Sequence, residues 1–315
     1  LMKYTIGIDL GGTNIAAGLV DEENRLLAKT SVPTHAQRPW REIGKDMAAL
    51  AKALLHQEGI DDSQVTSIGV GSPGTPDSKQ GVVLFSGNLG WDRVPVAKEL
   101  SRLTGKPVFL ANDANCAALA EGKVGAGKGL SSLVLVTFGT GIGAGILLNG
   151  RIYEGFNFGA GEFGHMVICS GEEPCTCGRR GCWEAYASMT ALVRQAKRTA
   201  REHPRSVLSR LAHSGEGLNG RNVFEAAKGG DAAAKGVVDR FLQYVSDGVV
   251  NVINILQPQA VLIGGALANE GEYVLSPVRK TAERDAFCRN NVLPRICCAA
   301  LGNDAGILGA ALLGR

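Results

Sequence analysis

Three cysteines, Cys175, Cys177 and Cys182, fall within eight residues in the stretch EEPCTCGRRGCWE, spaced C-x-C-x4-C. His165 lies ten residues before the first of them. Thiol–thiol chemistry suits this spacing badly. One intervening residue is too few for ordinary disulfide geometry between Cys175 and Cys177. A thioredoxin-type redox pair needs C-x-x-C, which is absent. A Cys3His set is instead the ligand complement of a closed, tetrahedral structural Zn2+ site. Four protein ligands leave no position for water or substrate, so the metal is expected to organise a loop and not to act as a Lewis acid.

Two glycine turns form the second constellation. IGIDLGGTNIAAGLV (6–20) and LVTFGTGIGAGILL (135–148) share one layout: an apolar strand, an acid or threonine, glycines with a threonine, then a second strand. Successive backbone N–H groups in such a turn make a concavity for phosphate oxygens. Gly11, Gly12 and Thr13 form the first, and Thr140 and Gly141 belong to the second. Asp9 would repel phosphate unless a cation stands between them, so Mg2+ is the expected companion. No GxxxxGK[ST] phosphate loop exists. GTGIGA at 139–144 fits the dinucleotide fingerprint only on paper, because a hairpin-like segment follows it where that motif requires a helix.

The elements that must carry these residues are legible in outline. YTIGIDLGGTNIAAGLVDEENRLLAKTSV reads as three strands, with DEEN as the outer turn. A helix is expected over about 40–58, from the spacing of Ile43, Met47, Leu50 and Leu54. VTSIGVGSPG and PVFLAND read as buried strands, and ANCAALAEG as the helix after the second. Asp113, at that strand end, is either a turn residue capping the helix or a carboxylate facing a ligand cleft. In the second half, NG at 149–150 marks a hairpin. A long helix is expected over about 231–256 with Asp231 as its cap, before the strand AVLIGGAL. The restart implies duplicated α/β lobes with a ligand cleft between them. The segment 203–222 is the least readable.

Composition sets limits. Among 315 residues, 33 Lys and Arg against 30 Asp and Glu leave a net charge of +3, too little to suggest nucleic acid or a membrane surface as partner. No apolar run reaches the roughly 18 residues of a membrane span, and no signal peptide is visible. The remaining cysteines (Cys116, Cys169, Cys288, Cys297, Cys298) read as free thiols of a reducing cytoplasm.

DLGGTN, LANDAN, GTGIGAG, GEFGHM and CTCGRRGCWE, in this order, resemble the ROK family of sugar kinases and repressors, essentially end to end. The resemblance implies an α/β fold of the actin/hexokinase-like (RNase H-like) type. The lobes would be 1–114, with a returning C-terminal helix at about 302–315, and 115–301, bearing the zinc site. It implies Asp113 as the general base that takes the proton of a sugar hydroxyl attacking the γ-phosphorus of ATP. Gly74, Asn88, Asn112, Asp113, Glu162, His165 and Glu184 would surround the sugar. Asp9, Gly11, Gly12, Thr13, Thr140, Gly141, Gly264 and Gly265 would hold the nucleotide. His165 would bind Zn2+ through one ring nitrogen and the sugar through the other. The cysteine loop becomes a clamp on His165 and Glu184, so loss of a cysteine should loosen sugar binding before phosphate chemistry.

The expected reaction is phosphorylation of the 6-hydroxyl of glucose, in a cytoplasmic homodimer. N-acetylmannosamine, N-acetylglucosamine, mannose, allose or fructose are alternative acceptors, and polyphosphate an alternative donor. A sugar-sensing regulator of the same family is the alternative of a different class. Its repressors carry a DNA-binding domain before the first glycine-turn strand, whereas only eight residues precede Asp9 here.

Overall fold

The computed structural model describes residues 2–315. Strands β1 (Tyr4–Leu10), β2 (Asn14–Asp21) and β3 (Leu26–Pro33) form an antiparallel meander. Helix α1 (Trp40–Glu58) leads to β4 (Val65–Ser72), parallel to β1. Three short strands, β5 (Thr75–Asp77), β6 (Val82–Ser86) and β7 (Trp91–Val94), make a small antiparallel sheet of their own. Helix α2 (Val96–Thr104), strand β8 (Val108–Asn112) and helix α3 (Asp113–Lys123) follow. The first large sheet has the order β3-β2-β1-β4-β8.

The second half begins with β9 (Leu133–Phe138), β10 (Ile142–Leu148) and β11 (Arg151–Ile152). Helices α4 (Trp183–Ala187), α5 (Met189–Glu202), α6 (Val207–Ala212), α7 (Gly220–Lys228) and α8 (Ala232–Leu256) precede β12 (Ala260–Gly265). Helix α9 (Glu272–Asp285), strand β13 (Arg295–Cys298) and helix α10 (Ala305–Leu312) complete the chain. The second large sheet has the order β11-β10-β9-β12-β13. Counting only its own strands in chain order, each sheet reads third, second, first, fourth, fifth. The duplication legible in the two glycine turns is thus present in the topology, and the fold is the actin/hexokinase-like α/β plan.

Local sequence explains the elements. β1 and β2 are buried along most of their length, whereas β3, at the sheet edge, alternates. α1 ends at Gly59 in the left-handed conformation, with its N–H turned back to the helix carbonyls. Asp231 caps α8 by accepting from the Ala234 N–H at 2.8 Å. Asn149 and Gly150 both have positive φ, as a type I′ hairpin requires. The segment 203–222 resolves into α6 and the start of α7, each opened by a side-chain cap, Ser206 and Asn219.

The C-terminal helix lies directly on the first sheet. A Cβ at Gly7 would stand 1.9 Å from the Ile307 carbonyl oxygen, and one at Gly69 1.7 Å from that of Ala310. Glycine at these two strand positions lets helix backbone meet sheet backbone. Glu121 of α3, wholly buried, accepts from the N–H groups of Ala126 (2.8 Å), Ala300 (2.9 Å) and Leu301 (2.8 Å). One carboxylate therefore fixes the entry to α10.

Packing divides the chain into two compact units, 1–135 with 145–161 and 299–315, and 136–144 with 162–298. The first takes in 115–135, 145–161 and 299–301, which the sequence pattern assigns to the second lobe. Among the described residues no helix is long and apolar enough to cross a membrane.

Candidate active site

In the first unit the turn 11–13 joins β1 to β2. The Gly11 N–H donates to the Asn14 carbonyl at 2.9 Å. Thr34, wholly buried at the end of β3, staples the turn twice. Its hydroxyl donates to the Gly11 carbonyl at 2.6 Å, and its N–H to that of Thr13 at 2.7 Å. Nothing in the motif points to Thr34, which stands 21 residues beyond Thr13. Antiparallel pairing of Asn14 with Pro33 brings it there.

Asp9 is the penultimate residue of β1, just before this turn. Burial, and then the negative charge of Asp113, raise its pKa from 3.8 to about 6. Gly306 of α10 makes room for it, since a Cβ there would be 2.7 Å from Asp9 Oδ2. Carboxylate oxygens are the donor type that hard divalent cations take.

Asn112 and Asp113 sit where β8 meets α3. Asn112, and not Asp113, is the N-cap. Its Oδ1 accepts from Ala114 N at 2.9 Å and Asn115 N at 3.2 Å, and its Nδ2 donates to the Gly74 carbonyl at 3.1 Å. The capping task thus falls to Asn112, while Asp113 occupies the first helical position and accepts from its neighbour Ala114 N at 2.8 Å. Gly74 has φ 93°, and a Cβ there would lie 2.1 Å from the Phe85 carbonyl. Asn88, exposed in the β6–β7 turn, lies over the glycine turn, its Cβ 3.5 Å from where a Gly12 Cβ would be. The first unit thereby brings Asp9, Gly12, Asn88, Asn112, Asp113 and Gly74 together.

In the second unit the cysteine loop forms a compact cluster. One ligand atom from each of His165, Cys175, Cys177 and Cys182 lies within 4.8 Å of all the others. Cys175 Sγ is 3.5 Å from His165 Nδ1, and Cys177 Sγ is 3.7 Å from Cys182 Sγ. Tetrahedral zinc at its usual bond lengths would put sulfur about 3.5 Å from nitrogen and about 3.8 Å from sulfur. Burial, then the neighbouring sulfurs, push the Cys182 thiol up to about 12. A thiolate here needs a cation, and the residues present fit Zn2+. His165 Nε2, the other ring nitrogen, is 4.0 Å from Glu162 Oε2.

Trp183, between Cys182 and Glu184, anchors the loop to α8. Its Nε1 donates to the Tyr244 carbonyl at 2.7 Å, and its ring fills the space left by Gly248, where a Cβ would be 1.9 Å from Cε2. Glu184 is thereby aimed at the second glycine turn. Its Oε2 accepts from Ile142 N at 2.9 Å, and a Cβ at Gly141 would stand 2.3 Å from that oxygen. Its Oε1 is 3.4 Å from Thr176 Oγ1. So Glu184 joins the cysteine loop to the second glycine turn, a contact the motif order does not reveal.

The second turn is also tied to α5: Met189 N donates to the Gly139 carbonyl (2.9 Å) and Thr190 Oγ1 to that of Thr140 (2.8 Å). Beside it lies a cavity of about 460 Å3, lined by Thr140, Thr190, Arg194 and Lys197 among others. α5 carries most of its lining, and the amphipathic helix pattern alone gives no sign of it. Gly264 and Gly265 end β12. A Cβ at Gly265 would be 2.5 Å from the Phe138 carbonyl oxygen, so this glycine answers to the close approach of β9.

The sequence profile of the ROK family matches residues 5–315. The chain is 36% identical over 313 residues to a glucokinase of Halalkalibacterium halodurans, covering 99% of this chain and 94% of that protein. A glucokinase of Thermotoga maritima is also 36% identical, over 307 residues, covering 97% of this chain and 95% of the relative. Among solved structures, a ROK family glucokinase from Streptomyces griseus, in complex with glucose and AMPPNP, superposes with a TM-score of 0.82. Its identity is 36%, with 98% of both chains covered.

Proposed function

The chain belongs to the ROK family, and from that premise we propose that it is an ATP-dependent glucokinase producing glucose 6-phosphate. The observation that carries the reading is its full-length similarity to a glucokinase solved with glucose and an ATP analogue. Asp113 accepts the proton of the 6-hydroxyl as that oxygen attacks the γ-phosphorus. Asn112 holds Asp113 at the start of α3 through its cap and its bond to Gly74. Sugar hydroxyls are met by Asn88, Asn112, Asp113, Glu162, His165 and Glu184, with Gly74 shaping the loop. The turns at 11–13 and 140–141 receive phosphate oxygens, with Gly264 and Gly265 on the adenosine side. Asp9 would hold Mg2+, whose charge would offset that of the phosphates. His165, Cys175, Cys177 and Cys182 hold Zn2+, which supplies structure and no reaction step.

We place the enzyme in the cytoplasm, where a reducing environment keeps its cysteines out of disulfides. The proposed assembly is a homodimer, to be read by light scattering of the purified protein. The decisive experiment is a coupled assay of ADP release across glucose, mannose, fructose, allose and the N-acetylhexosamines. It is run beside a polyphosphate-donor assay. Glucose with ATP should give the highest kcat/KM, and the Asp113→Asn variant should bind glucose yet turn over less than about a thousandth as fast. Preference for another sugar or for polyphosphate would overturn the substrate assignment, and substantial turnover by Asp113→Asn would overturn the base.

A further inference from the structure

The cysteine loop reaches the nucleotide-side cavity by an ion pair as well as through Glu184. Glu173 stands two residues before Cys175, with only 16% of its side chain exposed. It accepts from both terminal nitrogens of Arg198 and lies 3.4 Å from Arg194 Nη2. Its backbone N–H donates to the Tyr186 hydroxyl at 3.0 Å, which fixes the chain at that point. Arg194 Nη2 also donates to the Ala185 carbonyl of α4. Arg194 Nε is buried without a hydrogen-bond partner among the described residues. The same residue lines the cavity with Thr140 and Lys197.

These contacts have a direction. A long arginine side chain on a helix samples many rotamers, and holding it in one requires contacts outside its own turn. Arg194 has two: the α4 carbonyl and the carboxylate from the cysteine loop. The carboxylate also has a second arginine, so one Glu173 serves two guanidinium groups and does not cancel the positive charge of the wall. Lys197, one helical turn from Arg194, adds to that charge. A cavity walled by two cations beside an anion-receiving turn suits a phosphate-bearing ligand.

We propose that Glu173 is a positioning residue for the nucleotide: by holding Arg194 at the cavity wall beside Thr140, it makes nucleotide affinity depend on the order of the cysteine loop. The inference rests on the kinase reading for the identity of the ligand, and goes beyond it in assigning the loop an effect on the nucleotide as well as on the sugar.

The test uses the full chain. Kd for AMPPNP is measured by titration calorimetry, and KM for ATP and for glucose separately, in wild type, Glu173→Gln, Arg194→Gln and the double variant. Each single variant should weaken AMPPNP binding and raise the ATP KM about tenfold, as expected for a lost charge-assisted contact. Glucose KM and kcat should stay within about twofold, and the double variant should be little worse than either single one. Arg198→Met, which removes the other partner of Glu173 away from the cavity, should leave AMPPNP affinity within about twofold. Should Glu173→Gln fail to fold, Glu173→Asp serves in its place, with an intermediate loss. An unchanged AMPPNP Kd, a parallel rise in glucose KM, or additive losses in the double variant would overturn the proposal. A wild type that binds AMPPNP but phosphorylates no sugar would remove the kinase reading while the binding arm still decides this one. No AMPPNP binding by wild type would end both.

Discussion

Replacing Asp9 with asparagine should stabilise the protein while destroying its activity. The pKa of Asp9 rises from 3.8 to about 6 on folding, because burial and the nearby Asp113 both disfavour its charge. A group whose folded pKa is raised gives its full relative stability below the unfolded value and loses it as pH climbs through the folded one. The shift of 2.2 units (6 − 3.8) corresponds to about 3 kcal/mol at 1.36 kcal/mol per unit. Two-state titration of one carboxyl puts the cost of ionising Asp9 at about 1 kcal/mol at pH 4.5 and about 3 kcal/mol at pH 8. Asparagine keeps the shape and cannot ionise. Asp9→Asn should therefore outlast wild type in urea by up to about 3 kcal/mol at pH 8 and by about 1 kcal/mol at pH 4.5.

The measurement is made without nucleotide or added Mg2+, and without chelator, so that the cysteine cluster is undisturbed. Asp113→Asn should give a smaller gain in the same direction, since Asp113 is the lesser cause of the shift. In the coupled assay Asp9→Asn should lose at least about a hundredfold in kcat, the size of effect seen when one electrostatic group is removed from a reaction centre. Added Mg2+ should protect wild type against urea at pH 8 more than it protects the variant. Equal or lower stability of Asp9→Asn at pH 8 would refute the argument that Asp9 carries an uncompensated charge in the empty protein.

Elemental analysis should find about one zinc per chain, as a closed Cys3His site demands; a metal-free preparation of full stability would contradict this. Cys177→Ser should raise the KM for glucose and for ATP together, because Glu184, the proposed sugar ligand, also links the cysteine loop to Ile142; steady-state kinetics with each substrate varied would expose a rise confined to glucose. Thr34→Val removes the hydroxyl bond to the Gly11 carbonyl and should cost about 1–3 kcal/mol of stability. It should also raise the ATP KM, whereas Thr34→Ser restores both; a silent Thr34→Val would show that its backbone bond to Thr13 suffices.

How much of this site the sequence discloses depends on how local each constraint is. The glycine turns, the Cys3His spacing and the helix over 40–58 are set by neighbours a few residues apart, and all lie where local rules put them. Thr34, Glu173 and Arg194 act on groups 21 or more residues away, or through a carbonyl on another helix, and no spacing rule reaches them. The β5–β7 sheet escaped because its strands are three to five residues long and hold Pro76 and an exposed Phe85, so no alternation develops. Glu184 is the instructive case. Its place two residues after Cys182 is legible in the sequence, where the loop reads as a clamp on His165 and Glu184. Trp183 is buried against Gly248, and one Glu184 oxygen accepts from Ile142 N. A carboxylate can hold a backbone N–H with one oxygen and still offer its other to a hydroxyl. Glu184 therefore ties the second glycine turn to the cysteine loop, and on the proposed reading the same carboxylate would also meet the sugar. On the proposed reading, Zn2+ held by the cysteine loop would act on both substrates through geometry alone.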